Sequence, residues 1–144
     1  MNAVVALPPA EGPPSKHKLA LIVDDDPIIC AIASDLLVSA GFKTFCILDG
    51  GEAIAAIWDH DPDVAVIDVI LPHTTGMEVL KRVRSSGVLR SLPIVMMSGC
   101  YGSRPAEQAM RAGANAFLRK PFDHAAFVTQ IVRAANRPVD RKID

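Results

Sequence analysis

What this chain has little of limits what it can be. Charge is nearly balanced: 15 basic against 16 acidic side chains leave a net charge of −1 over 144 residues. Direct nucleic-acid binding calls for a basic face, and nothing in the balance supplies one. Cysteine is scarce and odd in number, with only Cys30, Cys46 and Cys100. Their spacing fits neither a CxxC motif nor a disulfide framework, so a reducing cytoplasm is the simplest expected home. The four histidines, His17, His60, His73 and His124, lie without ligand spacing, and no zinc site is expected. Long apolar runs are also missing. The stretch "AVVAL" at residues 3–7 has no basic segment before it and runs straight into "PPAEGPP". It is too short for a signal peptide, and nothing approaches the roughly 18 apolar residues of a membrane span. The chain is expected to be neither secreted nor membrane-embedded.

What is present is apolar and regular. Half of the residues are hydrophobic, and the length suits a single domain. Residues 1–17 carry four of the eleven prolines and no periodicity, which predicts a flexible N-terminal tail. The globular unit is expected over 18–137, followed by a short C-terminal tail, 138–144. Within the unit, strand-like runs "KLALIV" (18–23), "KTFCIL" (43–48), "DVAVID" (63–68), "PIVMMS" (93–98) and "NAFLRK" (115–120) alternate with helical stripes. The stripes are Ile29, Ile32, Ala33, Leu36 and Leu37, stopping at Gly41; Ala53, Ile54 and Ile57; Met77, Leu80 and Val83; Ala106, Ala109 and Met110; and Phe122, Ala126, Ile131, Val132 and Ala135. No internal repeat is apparent. Strict βα alternation predicts an α/β fold with a parallel five-stranded sheet, right-handed crossovers and helices on both faces. The nearly all-apolar runs "LALIV", "VAVI" and "IVMM" fit central strands covered on both sides.

In open sheets of this kind ligands bind beyond the carboxyl ends of the strands. There stand Asp24 and Asp25 after the first run, Asp68 ending the third, Ser98 ending the fourth and Lys120 ending the fifth. Taken singly, each has an ordinary explanation: Asp26 with Pro27 reads as a helix cap and first turn, Ser98 before Gly99 as a turn cap, and Lys120 as a solvated charge. Together, three acids, a hydroxyl and an amine on one rim are poorly explained by turn chemistry. Crowded carboxylates repel unless a cation sits among them. Mg²⁺ (or Mn²⁺) takes one or two carboxylates plus waters and phosphate oxygens, and an aspartate can accept a phosphoryl group. Phosphoryl transfer to Asp68 is the expected chemistry, with Asp24 and Asp25 holding the metal and with Ser98 and Lys120 on the phosphoryl oxygens.

The blocks "LIVDDDP", "VIDVILPHTTGMEVL", "PIVMMSG" and "GANAFLRKPF" closely resemble the receiver domain of two-component response regulators, in the stand-alone, single-domain form. The resemblance spans about residues 18–137. It implies a flavodoxin-like doubly wound sheet in strand order 2-1-3-4-5. It implies that Asp68 receives phosphate from a histidine kinase or histidine phosphotransfer protein, and that Asp24 and Asp25 form the acidic pair. By the same resemblance Ile70 gives its backbone carbonyl to Mg²⁺, Lys120 contacts the phosphoryl group, and Ser98 and Phe117 are the switch residues. Phe117 departs from the frequent tyrosine and lacks its hydroxyl. A cis bond before Pro121 is implied, and Pro72 and Gly76 match the loop after the phosphorylation site. Ile70 is apolar and orients no attacking water, so slow self-hydrolysis is expected. Cys100, near the rim, reads as an unremarkable thiol.

Two other functions compete. "DDDP" also reads as the DxDx motif of haloacid-dehalogenase-like phosphatases, with Asp24 as nucleophile and Asp26 as acid/base, although no late acidic motif follows Lys120. A receiver-like module serving only as an interaction surface is the other. After Pro138 only "VDRKID" remains, so output is expected through protein contacts as an adaptor, relay or phosphate sink. The expected oligomeric state is a monomer or a weak, phosphorylation-dependent dimer.

Overall fold

The structure is a computed structural model that describes residues 17–100 and 102–137. Of the tails expected over 1–17 and 138–144, all but His17 lies outside these residues. The elements run β1 (Leu19–Val23), α1 (Pro27–Ser39), β2 (Lys43–Ile47), α2 (Ala53–His60), β3 (Val64–Asp68), α3 (Gly76–Ser85), β4 (Ile94–Ser98), α4 (Arg104–Arg111), β5 (Ala116–Arg119) and α5 (His124–Ala135). A single 3₁₀ turn, Gly50–Glu52, precedes α2 and was not anticipated from the sequence.

The sheet is parallel throughout, in the order β2-β1-β3-β4-β5. Its side chains divide by parity, as pleating requires. Leu21, Val23, Ala65, Ile67, Ile94 and Met96 face α2, α3 and α4. Ala20, Ile22, Val64, Val66, Val95 and Met97 face α1 and α5. Both faces are therefore dry, and β1, β3 and β4 are almost entirely buried while the edge strands β2 and β5 are partly open. Each fully buried Leu or Ile contributes on the order of 2 kcal/mol, so these three strands form the rigid floor under the rim.

Local chemistry starts and stops the helices. Pro27 opens α1 at a position that needs no amide donor, and Asp26 accepts the Ile28 amide at 2.9 Å. The chain leaves α1 through Gly41, whose φ of +101° lies in the left-handed region. Thr75 and Glu78 form a reciprocal capping box at the start of α3. Gly76 is required for a different reason. A Cβ there would overlap the carbonyl oxygen of Asp68, so only glycine lets α3 begin directly against the end of β3.

Candidate functional site

The backbone carries each rim residue to the carboxyl edge of the sheet and pins it there. Asp24 follows β1, with its amide on the Ile47 carbonyl at 3.1 Å; Val69, just past Asp68, bonds the Met97 carbonyl at 2.8 Å; Lys120 bonds the Ser98 carbonyl at 2.9 Å. The ladder thus extends one residue beyond β1, β3 and β5, and the side chains that follow or end these strands meet over the rim, with Ser98 at the end of β4 beside them.

Lys120 is the centre of the arrangement. Its Nζ lies 2.6 Å from Asp24 Oδ2 and 2.8 Å from Asp68 Oδ2. The other oxygens take backbone amides: Asp24 Oδ1 accepts from Asp26 at 2.9 Å, and Asp68 Oδ1 from Ile70 at 3.2 Å. Asp24 is fully buried and Asp68 nearly so, whereas Asp25 faces solvent. Burial pushes the Asp68 carboxyl above its ordinary value, against the pull of the Lys120 hydrogen bond, and the Asp24 charge pushes the same way. For Lys120, burial acts to lower the ammonium. The ion pairs with Asp24 and Asp68 outweigh it and hold the group above its usual value.

The donor set fits a divalent cation. Asp24, Asp25 and Asp68 each offer a carboxylate oxygen, and these lie within 4.8 Å of one another. Asp24 Oδ2 is close enough to Lys120 for an ion pair, but no donor points along a hydrogen-bonding direction to it, which leaves a buried oxygen unsatisfied. A hard cation prefers such oxygens. Ile70 contributes its amide to Asp68 and leaves its side chain 60% exposed beside the site.

Ser98 is fully buried at the end of β4, and its Oγ accepts from the Cys100 amide at 3.0 Å. In this conformation the hydroxyl caps the turn after β4. Phe117, paired with Met96 in the β4–β5 register, is half-buried against the core under α3 and α4. The Lys120–Pro121 bond is cis. Asp26 stands apart from the cluster as the α1 cap.

Some contacts around the rim escape a reading of strand ends. Arg119 donates through Nη1 to the Cys100 carbonyl at 2.7 Å and through Nη2 to the Gly102 carbonyl, bracing the β4–α4 loop from β5. His73, at a left-handed φ of +67°, pairs with Asp49 at 3.0 Å and ties the loop after Asp68 to the turn before α2. That turn is itself pressed against the loop, because a Cβ on Gly50 would overlap the Thr74 carbonyl. Only the α3 capping box had a sequence signal, in Thr75 followed three residues later by Glu78. Arg119 and His73 pair across distant segments and leave none.

A doubly wound parallel sheet with an acidic trio, a lysine and a hydroxyl on its carboxyl rim defines the class of open α/β domains whose site lies beyond the strand ends. The family model of the response regulator receiver domain matches residues 20–132, and the chain belongs to that family. Solved structures agree. A protein from Chloroflexus aurantiacus described as a response regulator is 32% identical, with a TM-score of 0.81 over 85% of this chain and 100% of that one. The chemotaxis response regulator CheY4 of Vibrio cholerae is 29% identical, with a TM-score of 0.76 over 83% of this chain and 99% of that one. The receiver domain of NtrX from Brucella abortus is 30% identical, with a TM-score of 0.77 over the same shares. The fold is the flavodoxin-like one expected. Among the described residues, no helix is long and apolar enough to cross a membrane.

Proposed function

We propose that the domain receives a phosphoryl group on Asp68 from the phosphohistidine of a histidine kinase or phosphotransfer protein. The observation that carries this reading is the convergence on Asp68, at the end of the central strand, of one ammonium group and two further carboxylates. A carboxylate oxygen of Asp68 attacks phosphorus, the P–N bond breaks, and the imidazole leaves with a proton. Lys120, which neutralises Asp68 before transfer, moves its contact to a phosphoryl oxygen afterwards, so its charge stays compensated throughout. Asp24, Asp25, Asp68 and the Ile70 carbonyl are the ligands proposed for Mg²⁺ or Mn²⁺. When bound, the cation neutralises charge on the phosphoryl oxygens.

Ser98 gives the site its readout. Its hydroxyl leaves the Cys100 amide for a phosphoryl oxygen, the β4–α4 loop follows, and Phe117 turns into the space beneath. The surface made by α4, β5 and α5 changes, and a protein partner reads it. The phosphatase alternative requires Asp26 as acid/base, but its carboxylate already accepts the Ile28 amide at the start of α1.

Intact-mass measurement after treatment with acetyl phosphate and Mg²⁺ tests the assignment. Wild-type protein should gain one phosphoryl group, and Asp68→Asn should gain none. An adduct that survives Asp68→Asn and disappears in Asp24→Asn would transfer the nucleophile to Asp24. No adduct in wild type would leave an interaction module without phosphate chemistry.

A further inference from the structure

Cys30 and Cys46 are 16 residues apart in sequence, yet the fold sets them face to face. Helix α1 lies along the edge strand β2, and two positions mark their register. Ser34 Oγ on the helix and Thr44 Oγ1 on the strand are 2.5 Å apart. One helical step of four residues is about 6 Å, and two strand residues cover about 6.6 Å. Moving back four residues from Ser34 and on two from Thr44 therefore reaches a second facing pair, Cys30 and Cys46. Cys46 Sγ lies 3.9 Å from the Cys30 carbonyl oxygen, so the strand thiol reaches the backbone of the residue that carries the helix thiol. They differ in access: Cys30 is buried, Cys46 exposed on the sheet edge.

We propose that Cys30 and Cys46 form a dithiol that closes to an intramolecular disulfide by exchange with a small-molecule disulfide. The exposed Cys46 thiolate attacks one sulfur of that disulfide. A mixed disulfide forms on Cys46 and one small thiolate leaves. Cys30 then releases its proton to solvent and attacks Cys46 Sγ, expelling the second small thiolate. Two protein thiols are oxidised by two electrons, and one small disulfide is reduced to two thiols. The reduced dithiol is the form held in a reducing compartment, so closure reports a shift in thiol-disulfide poise. It also has a structural consequence. The Cys30 thiol donates to the Asp24 carbonyl at 3.3 Å, and a disulfide has no such proton. Oxidation thus removes a hydrogen bond from the residue that begins the acidic rim.

The test uses the full chain, folded, with oxidised glutathione as the probe at alkaline pH, because burial holds the Cys46 thiol above its ordinary value. After alkylation of free thiols, peptide mapping should find Cys30 joined to Cys46. Wild type should hold about tenfold less glutathione on Cys46 than Cys30→Ser, because only wild type has the resolving thiol. Cys30→Ala serves as a second variant, with circular dichroism checking that both fold. Cys46→Ser should leave Cys30 unmodified. Equal glutathionylation of Cys46 in wild type and both variants would overturn the proposal, as would a disulfide that joins Cys100 or a second molecule instead.

Discussion

Replacing Lys120 with methionine keeps most of the side chain's volume and removes its charge, so it isolates what the ammonium does. In the wild type that charge lies 2.6 Å from Asp24 and 2.8 Å from Asp68, with its side chain 18% exposed and those of the two acids 0% and 8% exposed. Removing one member of a buried ion cluster leaves the others uncompensated, which typically costs about 3–5 kcal/mol. The open rim at Asp25 places this case toward the lower figure, about 3 kcal/mol. With a urea m-value of about 1.5 kcal/mol/M for a domain of this size, the unfolding midpoint should fall by about 2 M. The measurement belongs in EDTA, where no cation substitutes for the ammonium. Millimolar Mg²⁺ should recover more stability in Lys120→Met than in wild type, and adding Asp68→Asn to Lys120→Met should restore a large share in EDTA.

The pH dependence has a determined sign. Asp68 titrates above its ordinary value in the fold, so the folded state holds a proton that the unfolded state has lost. Its contribution to stability falls as pH rises through that window from 3.8 upward, and is regained on acidification. Lys120 is also raised. Its contribution is complete below 10.5 and is lost as pH rises through the folded value. Without the ammonium, Asp68 holds its proton more strongly, and the Lys120→Met deficit should shrink toward pH ~4. A variant as stable as wild type in EDTA at neutral pH, or one that Asp68→Asn fails to rescue, would refute the view that Lys120 offsets two buried carboxylates.

Three further perturbations follow from particular contacts. Arg84 on α3 donates to the carbonyls of Gly113, Arg90 and Leu92 and to Asn115 Oδ1, so Arg84→Ala should cost about 2–3 kcal/mol in urea unfolding without removing phosphoryl acceptance; a loss under 1 kcal/mol would mean that water replaces these bonds. Gly76→Ala forces a Cβ into the Asp68 carbonyl and should slow adduct formation from acetyl phosphate by at least about tenfold, an effect of roughly 1.4 kcal/mol on the barrier; an unchanged rate would show that α3 shifts freely. Ile70 presents no polar group beside Asp68, so the adduct should outlast seconds and Ile70→Asn should shorten its life, because an amide can orient water; decay of the wild-type adduct within seconds would contradict this.

How much of this was legible in the sequence depended on the range of the interaction. The five strands and five helices are written in local pattern, and boundaries shifted by only a few residues, as at "NAFLRK", where β5 is Ala116–Arg119. The rim was legible for a related reason. A parallel sheet aligns the ends of its strands, so knowing where each apolar run stops is enough to know that Asp24, Asp68, Ser98 and Lys120 stand on one edge. The ligand set and the donor are family knowledge, supplied by resemblance.

The contacts that were missed lie off that edge and depend on how helices and loops sit against the sheet. Arg84 carries no signal in the sequence pattern, yet it binds three carbonyls and an amide oxygen from two other segments. The cysteines are the sharper case. Counting and spacing treat Cys30, Cys46 and Cys100 as three unrelated thiols, because a facing pair between a helix and a neighbouring strand has no fixed separation in sequence. The register of α1 on β2 is set by the packing of Cys30, Ala33 and Leu37 into the core and by the Ser34–Thr44 bond. Once that register is fixed, the Cys30–Cys46 pairing follows from the near-equality of four helical and two strand steps. An insertion of one residue before Cys30 would turn its side chain by about 100° away from β2, and with it would go the route from thiol exchange to the Asp24 carbonyl.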